Sequence, residues 1–212
     1  MTRIRVVRAR QGIAGSSGLS RASIRESRGQ ALVEMALVLP FLLLLALGVV
    51  ETGYFIVDHH TVTRLSREGS NLTSRNTTLE DAVNALKSMS TSPVNFDTRS
   101  RVILSVLKRG ARPGTANYDK IFLYQRRAYG AMTASSKLTT VGTGTFGGPP
   151  DYAAINPDDT AALQVTNVPA NLIVPLGGTI YVTELATTHE LLTPLSAFGI
   201  TLPTTVYSIA YF

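Results

Sequence analysis

Glu34 is the only charged residue among the twenty from Ala31 to Val50, ALVEMALVLPFLLLLALGVV. An ionised acid at mid-bilayer costs about 2–3 kcal/mol, and less near the interface, so Glu34 requires either a partner or a route to water. Snorkelling to the interface is one answer, because Glu34 stands near the start of the run. The other answer lies in its spacing from Gly29. Were the chain cut after Gly29, Gln30 would become the first residue, and its new α-amino group would lie one helical turn from the Glu34 carboxylate. In lipid the amine of a neighbouring subunit can supply the cation. Such a pair sets the axial register of packed helices, the best-attested use of a buried charge.

Elsewhere the residues that could do chemistry are sparse. There is no cysteine, which excludes a disulfide framework, a thiolate metal site and a Cys nucleophile. His59 and His60 are adjacent; on a helix they diverge by about 100° and cannot clamp one ion together. His189, the third histidine, lies in a strand-like segment. Interfacial polarity explains the His59–His60 pair better than a metal does. Asp158-Asp159 follows Pro157 and reads as a solvated turn. The glycines of VGTGTFGGPPDY, residues 141–152, neither follow a strand and open a helix nor end in Gly-Lys-Ser/Thr, so phosphate cradling is excluded. No Ser/His/Asp set occurs at a recognised spacing. The expectation is a chain that is not an enzyme, with no cofactor, no metal and no small-molecule substrate.

The elements that must carry these residues begin with the apolar run. About 20 apolar residues cross a bilayer core as a helix, and Phe41–Ala46 shows no polar face. The formal charge of +6 resides wholly in residues 1–29, seven arginines against Glu26, while the other 183 residues balance at 13 basic and 13 acidic. A basic tail on a neutral body argues against nucleic acid as a partner and for topology instead, with the N-terminus cytoplasmic and the body outside. A secretory leader cut at Ala46-Leu47-Gly48 is a rival. The long basic region, the acid at the start of the run and the helical pattern beyond the cut all favour a span. Pro40 is tolerated within a membrane helix as a kink. Gly48 and Gly53 stand five apart and form no G-x-x-x-G face.

Past the span, Phe55, Val62, Leu65, Gly69 and Leu72 follow a helical stripe, expected to pack on the chain's own C-terminal domain, with partner helices as the alternative. One helix is predicted from about Gln30 to Ser74, a break near Asn76, and a second from Leu79 to Met89 with Thr78 as N-cap. Ser92-Pro93 ends the helical region. Strands are predicted over Arg101–Lys108 and Lys120–Arg127 as partners across Arg-Gly-Ala-Arg-Pro-Gly, weakly over Ala162–Asn167, and over Thr179–Thr188 and Thr204–Phe212. The apolar strip Leu191–Leu202 reads as a cap on the sheet or, if exposed, as a contact patch. The fold class is α+β: a long N-terminal transmembrane helix continuing into an exported helix, then a small antiparallel β-sheet domain. The expected division is a basic cytoplasmic leader (1–29), a helical stalk (30–91, span about 31–50) and a β domain (92–212).

Gly29 followed by Gln30-Ala31-Leu32-Val33-Glu34 and an apolar helix resembles the type IV prepilin cleavage motif. More narrowly, RGQALVEMALVLPFLLLLALGVVETG resembles the TadE-like minor pilins, or pseudopilins, of tight-adherence (Tad/Flp) pili. The resemblance implies a pilin-like fold and cleavage between Gly29 and Gln30 by an inner-membrane prepilin peptidase. It also implies assembly with other pilins and the Tad secretion machinery. Many relatives carry cysteines in the exported domain and this chain has none, so a disulfide-fixed fold is not implied. The function expected is a minor pilin precursor in the inner membrane, contributing to pilus assembly or initiation. The alternatives are an uncleaved anchor displaying an adhesive or ligand-binding β domain, and a secreted domain cut after Gly48.

Overall fold

The structure is a computed structural model and describes residues 20–212, the side chains of residues 20–28 and of residue 195 excepted. The expected basic leader therefore lies outside the described residues up to position 19. Two compact units, Met1–Leu47 and Gly48–Phe212, divide the chain, and each is taken by itself. The fold is α+β, a long apolar N-terminal helix followed by a small antiparallel sheet.

Helix α1 (Ser20–Ser74) begins ten residues before the expected start at Gln30. No proline lies between Ser20 and Gly29 to stop it, and Gly29 alone weakens a helix by only about 1 kcal/mol. From Gly29 onward α1 is long and apolar enough to cross a membrane. In the first unit its large apolar side chains stand exposed, Leu32 and Phe41 among them.

The second unit is built around β1 (Ser100–Arg109), which is buried over most of its length. Its Arg-Val-Ile-Leu-Ser-Val-Leu run is nearly continuous in apolar character, as a strand covered on both faces requires. With β2 (Ile121–Tyr129), β3 (Thr179–Thr188) and β4 (Thr205–Tyr211) it forms one sheet in the order β2-β1-β3-β4. All three pairings are antiparallel, with a bulge at Val106/Leu107 opposite β2.

One face of the sheet is covered by α1 and α2 (Leu79–Met89). Asn76 adopts φ 60° just past α1, which ends the helix where the break is expected. Thr78 Oγ1 then accepts from Asp81 N at 3.1 Å and caps α2. Val62, Leu65, Leu79, Val83 and Leu86 join Val102, Leu104, Val106, Leu185 and Val206 in one core. Each such side chain contributes about 1.5–3 kcal/mol by leaving water. The α1 stripe thus packs on the chain's own domain, while Met89, expected on the same face of α2, is exposed. At Gly69 a Cβ would stand 2.7 Å from Thr183 Cγ2, so only glycine permits this approach of helix to sheet.

The other face carries a second core, in which Leu107, Phe122, Leu123, Ile180 and Val182 meet Leu138, Ala154, Leu163 and Val174. The segment expected as a strand over Ala162–Asn167 is instead a 3₁₀ turn, Ala161–Leu163, followed by single bridges from Gln164 to Phe122 and from Val165 to Thr140. Leu163 is buried, and that anchor bends the chain before a ladder can form. The strip Leu191–Leu202 does not cap the sheet. Leu192, Phe198 and Ile200 are exposed around a 3₁₀ turn, Pro194–Phe198.

Candidate functional site

In the first unit, the residues singled out by spacing share one helix. Gln30 Nε2 donates to Glu34 Oε1 at 3.0 Å, a contact four residues apart on the exposed surface. The Glu34 carboxylate thus has a neutral amide partner one turn before it, supplied by the residue whose α-amine a cut would free. Pro40 lies inside the helix, where its missing N–H leaves the carbonyl four residues earlier without an intrahelical donor.

In the second unit, a cluster that sequence reasoning missed joins α1 to the segment after β3. Glu51 is fully buried. Its carboxylate accepts from Thr193 Oγ1 at 2.7 Å, from Thr193 N at 2.9 Å and from Leu192 N at 3.2 Å. His189 Nε2 stands 3.1 Å from Glu51 Oε1, and His189 Nδ1 stands 2.6 Å from Asp58 Oδ2. Phe55 packs edge-on to the His189 ring, 5.4 Å between centroids. A neutral imidazole can donate to one of the two carboxylates, an imidazolium to both. The Thr193 hydroxyl donates to Glu51 rather than to the histidine, so no hydroxyl–imidazole–carboxylate relay exists here. This is a clamp, built to hold the chain after β3 against the helix.

Residues 29–71 match the family model of TadE-like proteins. Over that segment the chain is similar to TadE-like proteins. The match begins at Gly29 and takes in Gln30, Glu34, Pro40, Glu51, Asp58 and the stripe as far as Gly69. No curated protein and no solved structure matches the chain significantly.

Two further groups complete the polar interior and surface. Glu184, on the otherwise apolar outer side of β3, accepts from Ser136 Oγ at 2.5 Å, Lys137 N at 2.6 Å and Tyr207 Oη at 2.6 Å. Arg126 reaches Ser105 and Ser136 beside it. Burial, then the bond to Glu184, pushes the Tyr207 phenol well up from its ordinary value. Burial pulls Arg126 down, opposed by the Glu184 charge. The group pins the loop after β2 to the sheet. His59 and His60 line an open groove of about 820 Å³ with Arg64, Arg67, Glu68 and Tyr211. Among the described residues no three His, Cys, Asp or Glu side chains are placed to hold a metal. Asp158 and Asp159 sit in a turn.

Proposed function

We propose that this chain is a minor pilin, or pseudopilin, precursor of a Tad/Flp-type pilus, held by a single span in the inner membrane. In this reading the leader is cytoplasmic and the β domain outside. A prepilin peptidase cuts between Gly29 and Gln30, and the mature chain joins other pilins and the Tad machinery in assembling or initiating the pilus. The observation that carries the proposal is the coincidence of three things at one point: the TadE-like match beginning at Gly29, the apolar helix running on from it, and Glu34 one turn from Gln30.

Glu34 acts by electrostatic register. In the precursor its partner is the Gln30 amide; after the cut, the Gln30 α-amine of a neighbouring subunit provides a cation. An ion pair in lipid is far stronger than the same pair in water, so a stagger that leaves Glu34 unpaired is disfavoured. Pro40 supplies the kink at which the helix bends during packing.

Intact mass of the protein recovered from membranes tests the proposal. An N-terminus at Gln30 is expected. Met1 instead indicates an uncleaved anchor, and Val49 a secreted domain; either result overturns the processing step.

A further inference from the structure

We infer that the segment Leu191–Leu202 is a lipid-contacting collar, by which the exported domain touches the outer face of the membrane. The inference rests on the single-span reading of residues 31–50. From Leu191 to Pro203 the chain carries no charged residue, and Glu190 before it is paired with Arg99. Leu192 is 59% exposed, Phe198 57% and Ile200 41%. The remaining polarity is hydroxyl only, from Thr193, Ser196 and Thr201.

The clamp fixes where this strip sits along the helix. Leu192 N and Thr193 N bond to Glu51, the residue directly after the apolar run. Leu202 and Pro203 return beside Glu51, Thr52 and Phe55, around a small cavity of about 160 Å³. The strip therefore leaves and rejoins α1 within one turn of the end of the span. At this level the helix is itself apolar on its open side, with Val49, Val50, Tyr54, Ile56 and Val57 all exposed.

Lipid is the occupant that fits both surfaces. At about 1.5 Å per residue, Val57 lies about 10 Å beyond Val50, and the headgroup zone on each side of the core is about 5–7 Å deep. Val49, Val50 and Tyr54 fall at or within that zone, with Ile56 and Val57 just beyond it, and the strip is tied to the helix at Glu51 inside it; there an uncharged, Phe- and Leu-bearing surface is stabilised by burial at the acyl boundary. The same placement accounts for the cover on Glu51. An acid one residue past the core would face the interface, and here three donors and the His189 ring enclose it.

The chain contains no tryptophan, so one can be introduced as the sole reporter in the full chain. Phe198→Trp and, as a second site, Ile200→Trp are placed in phosphatidylcholine–phosphatidylglycerol vesicles, with and without acyl-brominated lipid; Leu43→Trp marks the span. Blue-shifted emission from Phe198→Trp and Ile200→Trp, reduced at least twofold by bromolipid, is the expected result. If Leu43→Trp is quenched and neither strip reporter is, the collar is refuted while the anchor stands. If none is quenched, the anchor reading falls and the collar with it. A blue shift in the strip without quenching means that protein covers it, which also overturns the inference.

Discussion

Replacing Glu51 with alanine removes one side chain, strands three donors and takes away a partner of the His189 ring. The Thr193 hydroxyl, the Thr193 and Leu192 amides and His189 Nε2 all point at its carboxylate. Hydrogen bonds to charged groups contribute about 1.5–3 kcal/mol each. They share one acceptor and are not additive, so breaking the buried set is expected to cost about 3–5 kcal/mol in total. For a domain of this size each kcal/mol lowers Tm by about 2–4 °C, which places the loss at about 6–20 °C. The assay is thermal unfolding of the full chain in lipid nanodiscs, followed by near-ultraviolet circular dichroism. Amide hydrogen exchange at Leu192 and Thr193 supplies the local readout, and both amides are expected to lose protection in Glu51→Ala. A Tm within about 4 °C of the parent, with those two amides still protected, would refute the clamp as a stabilising unit.

Two further outcomes test other parts of the molecule. Glu34→Gln is expected to leave cleavage after Gly29 largely intact while abolishing co-assembly, read by intact mass and by counting pili; normal piliation by this variant sinks the register idea. Tyr207 has its ionisation raised by burial and by the bond to Glu184, so its neutral form is favoured in the folded state. That contribution is complete below the ordinary tyrosine value of 10.0 and is lost as pH climbs above it. Urea unfolding between pH 9 and 11.5 is therefore expected to show a steeper alkaline decline for the parent than for Tyr207→Phe, and equal slopes would contradict it.

Local signals in the sequence were read where the physics is local. Thr78, Glu80 and Asp81 mark the start of α2 without help from the rest of the chain, and the helix runs from Leu79 to Met89 as expected. Thr179–Thr188 carries enough β-branched and aromatic character to place β3 at its observed ends. Ala162–Asn167 fails because burial of Leu163 in the second core, a tertiary demand, overrides a weak strand preference. The clamp was missed because His189 and Thr193 lie 138 and 142 residues from Glu51. A signal existed nonetheless. The step of seven from Phe55 to Val62 passes over Asp58, and Glu51 stands four before Phe55, so two acids occupy the buried stripe. Glu184 left the same kind of trace, an acid alternating with Ile180, Val182 and Ala186 on one side of β3.

The contact between α1 and the last strand sets a schedule as well as a structure. Ser66 Oγ meets Ser208 Oγ at 2.9 Å and Ser70 Oγ meets the Ala210 carbonyl at 3.0 Å, across separations of 142 and 140 residues. At a synthesis rate of about 5–20 residues per second, β4 follows the helix by on the order of ten seconds. Until β4 arrives Ser66 and Ser70 lack these partners, and β3, once made, lacks its outer neighbour. Closure of the sheet by β4 therefore comes well after the helix is made, and Ser66 and Ser70 wait longest for their partners.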